Sequence, residues 1–185
     1  MLWRVNQLGL DPAKLVFIEE TWATTNMTRL RGRAPRGERL VAKVPHGHWK
    51  TTTLIAALDQ TGMRCATVVD GAINQDVFES FVARVLLPAL QVGDIVVLDN
   101  LSSHKGARVA ALVESVGATL LYLPPYSPDL NPIEMAFSKL KNLMRAAEHR
   151  TREALWSDMQ HLLDQITPAD SRGFFRHCGY SLQEK

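Results

Sequence analysis

The sequence predicts a single α/β domain with a mixed sheet, parallel in its later part, and helices on its faces. Short apolar runs separated by tight turns fill the first half, and this spacing favours antiparallel neighbouring strands. From Asp76 onward, helical apolar spacing alternates with two further apolar runs, which is the order of parallel strands joined by helices. A chain of 185 residues, 46% of them hydrophobic, is long enough to bury one sizeable core.

The first half contains four runs of strand type. They are Leu15 to Ile18, Leu40 to Val44, Thr51 to Leu58 and Cys65 to Val69. Residues 26–39, between the first two runs, are polar and rich in arginine and include glycines and a proline. This composition predicts a long loop or a loosely paired hairpin.

The second half alternates helices with strands. Asp76, with Glu79 three residues later, resembles a capping box, and Pro88 is expected to close that helix. The remaining elements are a strand at Ile95 to Leu98, a helix from about His104 to Val116 that stops at Gly117, a strand at Thr119 to Leu123, a helix capped by Asn131 with Pro132 at its first position, and a final helix capped by Thr151.

Composition excludes several classes of protein. The formal net charge of +2 is nearly neutral, so overall charge alone does not predict nucleic-acid binding. Cys65 and Cys178 are far apart and have no partner motif, which argues against a zinc site and predicts reduced thiols. No signal-peptide pattern and no apolar run of roughly 18 residues is present. We therefore expect a cytoplasmic protein with no membrane partner.

Four carboxylates are candidates for chemistry. Asp99 follows a buried-type strand, and Glu134 lies three residues after the predicted cap Asn131. Glu19 and Glu20 end the first strand and should point to opposite faces of the sheet. Asp99 and Glu134 have structural alternatives, since Asp99 suits a turn cap and Glu134 suits a capping box. The glutamate that does not join the site would face solvent or pair with an arginine. If one glutamate joins Asp99 and Glu134, three hard oxygen ligands would suit Mg²⁺ or Mn²⁺.

Two groups of basic residues could contact phosphates. Lys141 and Arg145 follow Glu134 along one exposed stripe of its helix. The polar stretch carries further arginines, of a type suited to phosphate contacts that position nucleic acid without reading its sequence. They are Arg29, Arg31, Arg33 and Arg36. A solvated helix face and a solvated loop are the alternatives for these two groups.

Together these motifs resemble the catalytic domain of a DDE transposase, of the bacterial insertion-sequence branch related to mariner elements. The markers are Phe17 to Trp22, Thr25 to Met27, Gly32 with Arg33, Pro45 to Thr52, Val96 to Asn100 with Ser103 to Lys105, and Leu123 to Glu134. Thirty-four residues separate Asp99 from Glu134, the interval typical of that branch. The resemblance covers nearly the whole chain, from about Leu15 to Tyr180.

The resemblance implies an RNase H-like fold with a five-stranded mixed sheet, in which three antiparallel strands precede the parallel ones. It implies two Mg²⁺ or Mn²⁺ ions held by Glu19, Asp99 and Glu134, in a site that nicks DNA at the element's ends and joins the freed 3′-hydroxyl to target DNA. The support for this site would come from Glu20, Asn100 and His104, and Lys105 would add a DNA contact. We expect residues 1–185 to form one catalytic domain, with 150–185 as a C-terminal helical extension.

Two departures from the family pattern bear on activity and partners. The first is Glu19, which stands where the family places aspartate, so an impaired remnant that retains DNA or partner binding is the alternative to an active enzyme. A third interpretation, a nuclease for RNA–DNA hybrids, fits the proline-rich motif and the interval less well.

The second departure concerns partners. The family's N-terminal helix-turn-helix region is not in this sequence, so a separately encoded half is an expected partner. The other expected partners are DNA and, in the active complex, a second copy of the chain, and the expected location is the bacterial nucleoid.

Overall fold

The computed structural model describes residues 2–46, 48–99 and 106–180. In these residues five strands form one sheet. The strands are β1 Leu15–Thr24, β2 Thr51–Asp59, β3 Gly62–Asp70, β4 Ile95–Leu98 and β5 Thr119–Tyr122. Their order in the sheet is β3-β2-β1-β4-β5. β2 pairs antiparallel with both β1 and β3, whereas β4 pairs parallel with both β1 and β5. The predicted order of antiparallel and then parallel strands is therefore confirmed.

Helices cover both faces of this sheet. The helices are α1 Leu2–Gln7, α2 Gln75–Phe81, α3 Ala107–Ser115, α4 Pro132–Ala147, α5 Arg152–Asp164 and α6 Pro168–His177, with a π turn at Val82–Leu86 and short 3₁₀ turns at Pro12–Lys14, Leu87–Ala89 and Pro128–Leu130. One core cluster packs α4, α5 and α6 against one face, and a second cluster packs α2 and α3 against the other. The continuous apolar run of β4 lies between the two clusters, as its composition predicts.

The first strand is longer than predicted. β1 continues past Glu19 and Glu20 because its antiparallel pairing with β2 extends to the pair Thr24 and Thr51. β4 ends at Leu98, so the later part of β1 has no parallel neighbour among the described strands. The edge that this leaves open is where the candidate site lies.

The predicted strand at Leu40 to Val44 is wrong. These residues lie in an irregular segment between β1 and β2, and Val41 is 84% exposed. A lone apolar run does not form a strand without a neighbour to accept its backbone hydrogen bonds. The surrounding arginines, glycines and proline favour a solvated loop instead.

The helix ends differ in detail from the sequence prediction. Asn74, rather than Asp76, caps α2, since its side chain accepts a hydrogen bond of 2.9 Å from the amide of Val77. α3 begins at Ala107 in the described residues, and residues 100–105 lie outside them. Gly117 follows α3 with φ +76, a conformation that favours glycine, and ends the helix as predicted.

Candidate active site

The register between β1 and β4 brings Glu19 and Asp99 to the same place. Phe17 pairs with Val97 in parallel register, and both side chains pack in the cluster under α4. Glu19 and Asp99 follow two residues later, so the alternation of side chains directs both towards the same face. The carboxyl end of adjacent parallel strands thus presents two carboxylates, as is usual for sites in α/β sheets.

Helix α4 adds the third carboxylate. Glu19, Asp99 and Glu134 all line one pocket of about 350 Å³, together with Asn131 and the turn of residues 123–128. Glu134 lies in the first turn of α4 and is exposed. The capping-box alternative for Glu134 is not observed, because the amide of Asn131 donates instead to the carbonyl of Pro128 at 3.1 Å.

The side chains that line the pocket suit a hard divalent cation, although they are not already arranged around a metal position. Within residues 2–46, 48–99 and 106–180, no group of three or more His, Cys, Asp or Glu side chains is already arranged to hold a metal ion. Three carboxylates are nevertheless present, and the buried Oδ1 oxygen of Asn131 has no hydrogen-bond partner there. Oxygen donors of this kind suit Mg²⁺ and Mn²⁺. Metal binding would have to draw the carboxylates together.

Glu19 is the most enclosed of the three acids. Glu19 is only 7% exposed to solvent. Its Oε1 accepts a hydrogen bond of 2.9 Å from the amide of Glu20, and its Oε2 lies 3.4 Å from the side-chain nitrogen of Asn131. A buried carboxylate is tolerated only where such groups or a cation compensate its charge.

Glu20, predicted to support the site, lies on the other face of the sheet. It pairs with Ile55, whose side chain packs in the cluster of α2 and α3. This confirms that the two glutamates point to opposite faces. Glu20 is not among the residues that line the carboxylate pocket. The other predicted supporting residues, Asn100 and His104, and the predicted DNA contact Lys105 lie outside the described residues.

The proline-rich turn forms one wall of the pocket. Pro128–Leu130 is a single 3₁₀ turn, and the Tyr180 hydroxyl donates to the Leu130 carbonyl at 2.8 Å. Tyr126, at the rim, is fully exposed and has φ +55, a left-handed conformation that is costly for a residue with a side chain. The wall is thus anchored at the α4 end and open to solvent at the other.

A basic groove continues from the pocket along α4. Glu134 also lines a neighbouring pocket of about 200 Å³ together with Lys141 and Arg145. Burial lowers the pKa of Lys141, while the neighbouring Glu134 carboxylate acts in the opposite direction. The Lys141 ammonium lies 5.0 Å from the centre of the Trp22 ring, which is more than half exposed. A cation held over an aromatic ring at an open groove is well placed to meet a phosphate.

The groove then reaches the arginine-rich segment. Arg145 lines a further pocket of about 430 Å³ with Arg29 and Arg31, whereas Arg33 and Arg36 are exposed farther along the segment. Among the residues that the structure describes, none of these five guanidinium groups has an ion-pair partner. The predicted cations Lys141 and Arg145 thus lie beside Glu134, and Arg29 and Arg31 lie beside Arg145.

Three residues of the site were not predicted for the roles they have here. Asn131 was predicted as a helix cap, Trp22 was only part of a motif, and Tyr180 carried no signal at all. The bond from Tyr180 to Leu130 joins residues 50 positions apart, and that from Asn131 to Glu19 joins residues 112 apart. Local sequence patterns do not report contacts over such distances.

The described residues contain no helix that is both long enough and apolar enough to span a membrane.

Comparison with known proteins identifies the family. A family model described as DDE superfamily endonuclease matches residues 14–156. No curated protein matches the chain.

Solved structures with the same fold include several of the Mos1 transposase. The Mos1 mariner paired-end complex with Mn matches with a TM-score of 0.72 and 21% identity over 96% of this chain and 56% of that one. The Mos1 paired-end complex with left transposon end matches with a TM-score of 0.72 and 20% identity, over 90% of this chain and 52% of that one. This chain therefore spans about half the length of those two.

The catalytic domain of Mos1 mariner transposase, solved alone, matches with a TM-score of 0.68 and 19% identity over 96% of this chain and 87% of that one. At this identity the likeness shows the fold, which confirms the RNase H-like prediction. The match of the family model extends over well more than half of the sequence and includes Glu19, Asp99 and Glu134. The chain belongs to the DDE superfamily endonucleases.

Proposed function

We propose that the chain is the catalytic domain of a transposase of the bacterial insertion-sequence branch, which cleaves DNA at transposon ends and transfers the freed 3′-hydroxyl into target DNA. One observation carries the proposal: Glu19, Asp99 and Glu134 line a single pocket that opens into a basic groove. A carboxylate site beside a row of cations is suited to a phosphodiester that the cations position and the site cleaves.

The three carboxylates would hold the metal ions. Asp99, which follows β4, would hold them together with Glu19 from β1 and Glu134 from α4. Two bound Mg²⁺ or Mn²⁺ ions would supply the acidity that activates water and stabilises the leaving oxygen. Asn131 and the amide of Glu20 orient the Glu19 carboxylate.

The cations of the groove would hold the DNA backbone. Lys141 and Arg145 follow Glu134 along α4, and Arg29 and Arg31 continue the row. Arg33, Arg36 and Lys105 would add contacts farther along the strand. Because these are phosphate contacts, binding by this domain should be weakly sequence-specific and sensitive to salt.

The solved relatives support the partners and the metals. Mos1 transposase was solved as paired-end and strand-transfer complexes, and in separate structures with Mg and with Mn. By this analogy we propose that the chain acts on DNA with divalent ions. From the family resemblance we propose two ions, a second copy of the chain in the active complex, and association with the bacterial nucleoid. The family resemblance supports residues 1–185 as one catalytic domain, with 150–185 as its helical extension.

The test is nicking of supercoiled plasmid by the chain in Mn²⁺, followed by joining of a 3′-hydroxyl oligonucleotide to that plasmid. We expect nicking by the unmodified chain and its loss in Asp99→Ala and Glu134→Gln. Asp164→Ala, which removes an exposed carboxylate at the end of α5, is the matched control and should nick normally. Undiminished nicking by Asp99→Ala would exclude the proposed site.

A second candidate, an impaired remnant that retains DNA binding, is favoured by one residue of the same pocket. Glu19 stands where the family places aspartate. This candidate predicts salt-sensitive DNA binding without nicking at any Mn²⁺ concentration. The nuclease alternative predicts that an RNA–DNA hybrid is cut faster than duplex DNA, which the same assay measures.

A further inference from the structure

Asn131 occupies the cap position of α4 but does not cap it. Its backbone has the extended conformation of a cap residue, yet its side chain accepts no hydrogen bond from the first turn of the helix. The cap residues of three other helices behave differently, because each accepts such a bond from its own helix. They are Asn74, Thr151 and Thr167.

The side chain of Asn131 is directed to Glu19 instead. Its Nδ2 lies 3.4 Å from Glu19 Oε2, in a contact that joins the start of α4 to the middle of β1. Asn131 is only 3% exposed, and its Oδ1 is buried with no hydrogen-bond partner within the described residues. Both residues line the carboxylate pocket.

This arrangement is unfavourable for the stability of the metal-free protein. An asparagine cap stabilises a helix through the bond that is missing here. A buried oxygen without a partner costs free energy as well. Local arrangements that lower stability in this way occur most often where a functional geometry requires them.

We propose that Asn131 is a positioning residue: it holds the Glu19 carboxylate in the orientation that a divalent cation requires, at the expense of capping α4. The amide nitrogen restrains the longer side chain of Glu19, which has one more rotatable bond than an aspartate. The inference rests on the proposed function to the extent that Glu19 is a metal ligand. Residues that orient metal ligands affect metal affinity without touching the ion.

The experiment measures binding of Mn²⁺ alone to the full chain, by electron paramagnetic resonance of free Mn²⁺, with thermal melting as the second readout. Asn131→Ala should weaken Mn²⁺ binding by roughly tenfold to a hundredfold. Asn131→Ser should weaken it similarly. Without metal, however, Asn131→Ser should melt at the same temperature as the unmodified chain or higher, because serine can cap α4.

Thr151→Ala is the matched control. It removes a cap that does bond its own helix, through the amide of Ala154 at 3.1 Å. This variant should lower the melting temperature and leave the Kd for Mn²⁺ unchanged. A merely structural Asn131 would behave in the same way, so the two variants separate positioning from stability.

A double-mutant cycle tests whether Asn131 acts through Glu19. In Glu19→Asp the shorter carboxylate withdraws from Asn131, so adding Asn131→Ala should weaken Mn²⁺ binding much less than it does alone. Additive effects, or an Asn131→Ala variant that binds Mn²⁺ as tightly as the unmodified chain, would overturn the inference. Nicking is assayed separately. A chain that binds Mn²⁺ and fails to nick DNA refutes the proposed function, while the role of Asn131 is still decided by the Kd values.

Discussion

The hydroxyl of Tyr180 donates a hydrogen bond of 2.8 Å to the carbonyl oxygen of Leu130, and both residues are buried. The Tyr180 ring also packs edge-on against Phe17, with 5.2 Å between the ring centres. Phe17 precedes Glu19 by two residues, and Leu130 immediately precedes Asn131. Tyr180 therefore contacts residues next to two parts of the carboxylate pocket, and burial raises the pKa of its hydroxyl.

Replacing Tyr180 with phenylalanine should destabilise the protein without changing its fold. The change keeps the aromatic packing and leaves the buried Leu130 carbonyl without its partner, which costs about 1–3 kcal/mol. Urea unfolding measures the free energy of unfolding. Tyr126→Phe is the control, because it removes the hydroxyl of a fully exposed tyrosine and should leave the free energy of unfolding unchanged. Equal stabilities of the two variants would show that the bond to Leu130 contributes little.

The fold was largely predictable because most strands and helices show, within their own sequences, the spacing of apolar residues that is typical of them. Residues in β4 and along α4 are apolar where the sheet or the core requires it, and they were identified correctly. The exception, Leu40 to Val44, has strand-like residues but no neighbouring strand, which no local pattern reveals. α6 was also missed, although Thr167 and Asp170 form a capping box that is visible in the sequence.

The three acids of the candidate site could be named from the sequence, whereas the contacts that hold them could not. Asp99 and Glu134 follow recognisable turns, so their positions could be inferred from short motifs. The contacts of Asn131 with Glu19 and of Tyr180 with Leu130 depend on how β1, α4 and the C-terminal segment pack together. The local pattern at Asn131 predicts a cap, and only the tertiary packing shows that its side chain is used elsewhere.

The contact between α4 and α6 should make stability depend on pH in the acid range. Hydrogen bonds from Lys139 and from Thr167 lower the pKa of Asp170 from 3.8 to about 2. A carboxyl whose pKa is lowered on folding stabilises the protein above its unfolded pKa and loses that effect as the pH falls through its folded pKa. Asp170→Asn should therefore melt below the unmodified protein at pH 7.

That difference in melting temperature should be constant above about pH 5 and shrink as the pH falls from 3.8 towards 2. Asp164→Asn, at the exposed end of α5, provides the control substitution. A difference for Asp170→Asn that is the same at neutral and acid pH would show that the carboxylate does not stabilise the contact.

The arginines of the groove should contribute to DNA binding through phosphates. Arg29→Ala and Arg31→Ala should each weaken binding to any duplex and reduce the slope of log K against log salt concentration by about 1. Fluorescence anisotropy at several salt concentrations measures this slope. Arg172→Ala removes an exposed arginine of α6, away from the groove, and should leave the slope unchanged. An equal decrease of affinity and slope in Arg172→Ala would show that any exposed arginine contributes to DNA binding as much as those of the groove.

Divalent ions should stabilise the folded chain. Metal that binds only the folded state adds about 2.7 kcal/mol at a concentration a hundred times its Kd. Thermal melting with and without Mn²⁺ measures the shift. Glu134→Gln should reduce the shift and, without metal, should melt no lower than the unmodified protein, since it removes one of three like charges from the pocket. If Mn²⁺ raised the melting temperature of Glu134→Gln as much as that of the unmodified protein, the ion would have to bind elsewhere.

Shortening Glu19 to aspartate tests whether this chain is an active enzyme with an altered ligand or an impaired copy. The Glu19 carboxylate is enclosed and held by Asn131 and the amide of Glu20. Glu19→Asp withdraws it by about one bond length, and a misplacement of about 1 Å can cost on the order of a hundredfold in rate. We therefore expect Glu19→Asp to nick DNA at least tenfold more slowly than the unmodified chain. The reverse result, faster nicking by Glu19→Asp, would mean that the extra methylene of Glu19 limits catalysis and that Asn131 does not compensate for it.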